Sequence, residues 1–235
     1  VLVTLGKTKG FRHTGFACKL FGRFDGMNER GLVVTTSAAD VTHENPPGNG
    51  FVFPLLVRAM LERCTTVKEA WALIRDLSYA EYRNFIVSDR EGNAMLVEAS
   101  PGGKSVKQMG PGTGGSYLCS ADHFILEGRD RARPVEHSLV RQEKMEQVLA
   151  RPVDRGELEG LLKTPYPGGL AFGYYEGGMG TLWSVLYDSA KGSQEVCFGS
   201  PAHGRWQAVQ TDGQPGGVET DVRLHDIAAP EGLWE

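Results

Sequence analysis

The chain reads as a layered α+β domain built on antiparallel sheets, and three observations predict it. Strands, two helices, strands, two helices and strands follow one another without the regular β-α alternation of a parallel doubly wound fold. Three segment pairs carry hairpin chemistry, with apolar or β-branched runs on both sides of a polar, glycine-containing turn. Glycine accounts for 31 of 235 residues, which favours many turns over long helices.

Val1–Leu5 and Phe16–Phe24 have strand composition. Asp25-Gly26-Met27-Asn28-Glu29-Arg30-Gly31 then forms a hairpin turn in which Gly31 supplies the φ > 0 position of a G1 bulge, before the strand Leu32–Ser37. Asp40–Gly50 is polar, rich in Pro and Gly, and reads as a loop beside a pocket. Phe53, Leu56, Val57, Met60, Leu61 and Cys64 recur at helical period, so Phe51–Cys64 is a helix. Thr66 and Glu69 form a capping box for a second helix to about Leu77. Asn84–Ser88 and Ala94–Ala99 flank the turn Asp89–Gly92 as the second hairpin.

Ser105–Met109 and Tyr117–Ser120 read as further strands. Pro134 opens a helix to about Leu149, with Leu139, Val140, Met145, Val148 and Leu149 on its apolar side. Asp154 and Glu157 repeat the capping signature before Leu158–Leu162. Thr181–Asp188 and Gln194–Phe198 form the third hairpin around Ser189–Gly192. The Gly114-Gly115 and Gly177-Gly178 pairs lack a nucleotide-binding fingerprint and are turns. No linker or repeat divides the chain, so residues 1–235 form a single domain, with 201–235 an irregular tail carrying weak strand signals at Trp206–Gln210 and Val218–Leu224.

A formal charge of −4 provides no basic field for nucleic acid. No apolar run reaches the ~20 residues that span a bilayer, and no targeting segment is visible. Cys18, Cys64, Cys119 and Cys197 have no metal-binding spacing and read as reduced core thiols, which points to the cytoplasm. The six histidines show no metal-ligand pattern, so neither a metal nor another cofactor is implied. The oligomeric state stays open, a homo-oligomer included.

Four blocks carry a family resemblance. They are Asp25-Gly26-Met27-Asn28-Glu29-Arg30-Gly31-Leu32; Phe53-Pro54-Leu55-Leu56-Val57-Arg58-Ala59 with Cys64-Thr65-Thr66-Val67-Lys68-Glu69-Ala70; Val97-Glu98-Ala99-Ser100-Pro101; and Thr181-Leu182-Trp183-Ser184-Val185-Leu186-Tyr187-Asp188. In this order the chain resembles the choloylglycine hydrolase and acyl-coenzyme A:6-aminopenicillanic acid acyltransferase group of N-terminal-nucleophile (Ntn) hydrolases. The resemblance implies a four-layer αββα sandwich. It also implies cleavage or transfer of linear amides such as N-acyl amino acids, penicillins or conjugated bile acids, with a small acyl-amide as the partner. In that family an N-terminal cysteine supplies a thiolate as nucleophile and its own α-amino group as base. Asn side chains and backbone N–H groups stabilise the oxyanion.

The match departs from the family at the chemistry. Residue 1 is Val1, and the 24 residues before Asp25 hold no cysteine strand of the family type, so the nucleophile is expected outside this sequence. The chain starts in mid-strand, as a mature domain or a shortened one would. Counted from Gly31, the family's oxyanion Asn falls on Ser37. The Asn of its Asn-His-Phe motif falls on Asp122 in Ser120-Ala121-Asp122-His123-Phe124. An ionised Asp122 offers no donor to an oxyanion, whereas a protonated one could donate.

Asp122 and Ser37 are therefore the catalytic-site candidates, each against a plainer reading as a turn carboxylate or a strand-end hydroxyl. Asn84, His123, His43 and Asn45 are substrate-side candidates; the plainer readings are a turn amide, a packed ring and solvated loop residues. Cys18 near His13, and Cys119 near Asp122 and His123, are substitute nucleophiles whose plainer reading is core packing. The rival function is a non-catalytic Ntn-like protein that binds a small amphipathic ligand or a partner.

Overall fold

A computed structural model describes residues 2–5, 9–18, 21–39, 47–113, 117–126, 134–211 and 214–230. In chain order the elements are β1 (Leu2–Leu5), β2 (His13–Cys18), β3 (Gly22–Arg23), β4 (Gly26–Asn28), β5 (Val33–Ala38), α1 (Phe53–Arg63), α2 (Val67–Ile74), β6 (Arg83–Ser88), β7 (Ala94–Ser100) and β8 (Gly103–Met109). They continue with α3 (Glu136–Leu149), α4 (Arg155–Lys163), β9 (Gly173–Tyr174), β10 (Met179–Gly180), β11 (Trp183–Asp188), β12 (Ser193–Phe198), β13 (Trp206–Val209) and β14 (Gly216–Val218). Among the described residues, a nine-stranded antiparallel sheet runs β14-β1-β2-β4-β5-β6-β7-β8, with β3 added to β2. β11-β12-β13 make a second antiparallel sheet, and β9 and β10 a short ribbon. The protein is thus α+β with a large antiparallel sheet and four described helices.

The first hairpin forms as its turn chemistry dictates: Gly31 has φ 84°, and Met27 pairs with Val33. Asn28 does more than turn the chain. Its Oδ1 accepts the N–H groups of Arg30 and Leu32, both at 3.0 Å, and its Nδ2 donates to the carbonyls of Leu61 (2.9 Å) and Cys64 (2.8 Å). One buried amide therefore closes the hairpin and caps the C-terminal end of α1, which would otherwise leave orphan carbonyls. At the other end of α1, Glu81 accepts the Phe53 N–H at 3.0 Å, where a carboxylate also meets the positive end of the helix dipole.

The main core lies between α1 and α2 and one face of the large sheet. Leu56, Val57, Met60 and Leu61 of α1 pack on Val34, Phe85, Val87, Met95 and Val97. Each fully buried side chain of this kind contributes about 1.5–3 kcal/mol. A second cluster joins Leu2 and Phe16 of the large sheet to Trp183, Val185, Val196, Phe198 and Val209 of the three-stranded sheet, with Phe16 stacked on Trp183 at 4.3 Å. α4 is tied to the three-stranded sheet by Arg155, which donates two hydrogen bonds to Glu195 on β12.

Several expectations change in detail. Phe16–Phe24 is not one strand: β2 ends at Cys18, and β3 turns back to pair with it. Thr66 accepts the Glu69 N–H, but the Glu69 carboxylate takes the N–H and hydroxyl of Thr65, so the capping box is only half formed. At α4 both halves are present. Tyr117–Ser120 does not join a sheet. α3 buries its polar side, His137, Ser138 and Gln142, while Leu139 is 47% exposed. The tail contributes β13 and β14, the latter pairing with β1. Gly178 is a turn glycine with φ 81°. Val1, Asp40–Pro46, Gly114 and Gly115 lie outside the described residues.

Candidate active site

Ser37, Asn84 and Glu98 stand directly opposite one another across β5, β6 and β7. Opposed residues of an antiparallel pair share a face. Their neighbours Phe85 and Val97 face α1 and α2, so this polar row points to the other side of the sheet. Asn84 and Glu98 are fully buried, and buried polar groups need partners.

Those partners are backbone groups of the irregular segment 117–126, which crosses the row as a strap. Ser37 Oγ donates to the Ala121 carbonyl at 2.7 Å. Asn84 Nδ2 contacts the Ala121 and His123 carbonyls, both at 3.0 Å, and Ser37 Oγ at 3.2 Å. Glu98 accepts the N–H groups of Ile125 and, at 2.9 Å, Leu126. Hydrogen bonds that a strand would draw from a neighbouring ladder come here from three side chains, which is why the segment is ordered without being a strand.

α3 holds the strap from behind. Gln142 accepts the Ala121 N–H at 2.9 Å and contacts Cys119 Sγ at 3.2 Å. Ser138 Oγ accepts the Asp122 N–H at 2.8 Å and bonds His123 Nδ1 at 2.7 Å. Arg141 Nη2 donates to Asp122 Oδ2 and reaches His137 Nδ1 at 3.3 Å, and the guanidinium lies 4.9 Å from the centre of the Phe172 ring. Burial, reinforced by the Arg141 charge and opposed by Asp122, pushes the His137 imidazole below its usual range. This favours the neutral ring, whose free nitrogen can accept from the guanidinium.

The structure thus gathers four of the predicted residues, Ser37, Asn84, Asp122 and His123, around one strap. His43 and Asn45 lie outside the described residues. All four cysteines are free and buried. Burial raises the thiols of Cys119 and Cys197 above their ordinary range, and that of Cys64 to about 11, the reverse of what an activated nucleophile needs. The Ser37 hydroxyl and the Asn84 amide already donate within the protein. The Asp122 and Arg141 side chains are partly exposed, at 22% and 17%. Four clefts of 210 to 670 Å³ open elsewhere on the described surface, and Ser37 and Asp122 line none of them. Among the described residues no cluster of His, Cys, Asp and Glu could hold a metal ion.

Glu98, Ser138, Arg141 and Gln142 were not singled out by the sequence pattern. Glu98 had a readable signal as the lone charge in Ala94–Ser100, a strand buried throughout. The α3 residues had almost none, since helical periodicity registers apolar stripes and this helix buries a polar one.

The family model for acyl-coenzyme A:6-aminopenicillanic acid acyl-transferase matches residues 2–203. The chain belongs to that family. The family is one of linear-amide hydrolases and acyltransferases, and the match spans the strap and all strands except β13 and β14. A search of curated proteins returned no match. Among solved structures, a mutant of conjugated bile acid hydrolase from Clostridium perfringens is 13% identical with TM-score 0.51, covering 94% of this chain and 84% of that one. That likeness is one of fold. Penicillin V acylase from Agrobacterium tumefaciens is 21% identical with TM-score 0.33 over 43% of this chain. The match spans about a third, 34%, of that acylase. No described helix is long and apolar enough to cross a membrane.

Proposed function

We propose that the protein is an Ntn-type hydrolase or acyltransferase for linear amides, folded as a single αββα domain over residues 1–235. In this reading α1 and α2, the large sheet, the three-stranded sheet and α4 are the four layers. The nucleophile is an N-terminal cysteine outside residues 1–235, and the substrate is a small acyl-amide of the N-acyl amino acid, penicillin or bile-salt kind. The observation that carries the proposal is the strap. It brings Ser37 and Asp122, the two positions where the family resemblance places oxyanion amides, to one end of the sheet.

The division of labour follows from who is already bonded. Ser37 and Asn84 fix the strap and form the floor of the centre. Asp122 orients Arg141, whose remaining N–H groups stabilise the oxyanion in place of an amide; a guanidinium aimed at developing charge stabilises it more strongly than a neutral donor. His123 holds the strap through Ser138, and the loop with His43 and Asn45 borders the substrate. The free thiols support a reducing compartment such as the cytoplasm.

The committed donors of Ser37 and Asn84 also favour a second reading, a non-catalytic relative that binds a small amphipathic ligand. One experiment separates the two. The natural full-length product is analysed by intact mass and incubated with N-acyl amino acids, penicillin V and bile salts. Turnover that stops when an N-terminal cysteine is alkylated, and that survives Cys18→Ala and Cys119→Ala, supports the hydrolase. A native product starting at Val1 with saturable binding and no turnover would overturn it in favour of the second reading.

A further inference from the structure

Beyond the strap, the segment after β12 folds back on the three-stranded sheet and builds a small cavity of about 210 Å³. The segment is anchored at several points. Asp226 accepts the Glu176 N–H at 2.9 Å, and the Ile227 N–H donates to the Gly173 carbonyl at 2.8 Å. At Gly199, a Cβ would stand 2.5 Å from Val222, so the return is close. These anchors bring Arg223 and His225 beside Arg205 and His203, and the two imidazoles meet at 4.2 Å. All four side chains line the cavity, and Asp221 is the only acid among the described residues that line it.

Among the described residues no carboxylate forms an ion pair with either guanidinium group. Arg205 and Arg223 form no ion pair or hydrogen bond with any described residue, whereas Arg58, Arg75, Arg141, Arg151 and Arg155 all do. This happens on a chain of net charge −4, where acids are plentiful. Two like charges lining one cavity favour an anion between them.

We propose that this cavity binds a phosphate group. Two guanidinium forks and two imidazoles offer more donors than the two oxygens of a carboxylate can accept, and they suit a tetrahedral dianion. The volume is below the ~300–1,000 Å³ of sites that enclose drug-sized ligands, so it takes a charged group rather than a whole large molecule. Arg205, Arg223 and His225 lie beyond residue 203, where the family match ends, and the proposal uses none of the residues assigned to the amide chemistry.

The test is calorimetric titration of the intact protein with inorganic phosphate and, separately, with phenyl phosphate, against sodium chloride at equal ionic strength. Saturable binding of phosphate that weakens about tenfold or more in Arg205→Met and in Arg223→Met is expected. The variant Lys68→Met, at an exposed lysine outside this cavity, should bind as the wild type does. Equal affinity for the two compounds identifies free phosphate as the occupant, and tighter phenyl phosphate identifies a phosphomonoester; either result supports the site. Both arginines are exposed, so the variants should keep their thermal midpoints, which is checked in parallel. Absence of saturable binding of either compound, or an Arg205→Met/Arg223→Met double variant that binds like the wild type, overturns the proposal.

Discussion

The Asn84→Ala substitution examines the strap directly. The buried Asn84 amide contacts Ser37 Oγ, the Ala121 carbonyl and the His123 carbonyl. After truncation the Ala121 carbonyl keeps Ser37 Oγ as a donor, but the His123 carbonyl loses its Asn84 donor. A buried acceptor left unsatisfied costs about 1–3 kcal/mol, and the second contact adds about 1 kcal/mol. Against this, Asn84 Oδ1 is itself buried without a partner among the described residues, and its removal offsets part of the loss. The net expectation is a destabilisation of about 2 kcal/mol, which for a domain of this size lowers the thermal midpoint by about 4–8 °C. Asn84→Asp should be worse at pH 7, because it turns a carboxylate toward two carbonyl oxygens, and should recover as acid protonates the introduced group. Scanning calorimetry and urea unfolding at pH 5 and pH 7 measure both. An Asn84→Asp protein as stable as the wild type at pH 7 would refute the reasoning, since the amide could not then be the donor.

His13 is buried, and burial lowers its imidazole from 6.5 to about 4, with the hydrogen bond to the Phe11 carbonyl opposing and the Arg23 charge assisting. The depressed group contributes stability that is complete above 6.5 and is lost as pH falls through about 4. Up to about 3 kcal/mol should therefore disappear over that window, and His13→Gln should flatten the urea-unfolding profile there. Asp25 has the opposite sign: burial raises its carboxyl, opposed by hydrogen bonds from the Phe16 N–H, Trp183 and Tyr187. Its contribution is present below the ordinary carboxylate range and is lost as pH rises through the raised value, so wild type should lose stability relative to Asp25→Asn on going from about pH 4 toward neutrality. Gly31 and Gly92 both have φ 84°, but a Cβ on Gly31 would stand 2.7 Å from the Ser189 carbonyl, while one on Gly92 meets only Pro111 at 3.5 Å. Gly92→Ala should cost about 1 kcal/mol and Gly31→Ala clearly more, as thermal midpoints will report. If Arg141 is the oxyanion donor, Arg141→Met should lower amide turnover by about 10²–10³-fold with a much smaller change in stability, followed by release of the free amine.

Much of the fold was legible along the chain because its signals are local. Gly31, Gly92 and Gly192 mark their hairpins by a backbone conformation that other residues resist, and Asp154 and Glu157 start α4 within one turn. The family resemblance likewise rests on short blocks, and the match over residues 2–203 bears it out. Tyr117–Ser120 reads as a strand because its composition is that of one. Only the paired register of Ser37, Asn84 and Glu98, separated by tens of residues, decides that the hydrogen bonds of residues 121–126 go to side chains.

The same holds for the site. The sequence by itself determined that Ser37 and Asp122 stand where the family resemblance expects amides. Only the tertiary structure decided that the Ser37 hydroxyl is committed to the Ala121 carbonyl and that Asp122 is joined to Arg141 from a helix that buries its polar face. The physical reason is one of range. Turns and caps are decided by energies between residues a few positions apart, whereas the partner of a buried polar group is chosen by whichever distant segment folding brings within hydrogen-bond reach.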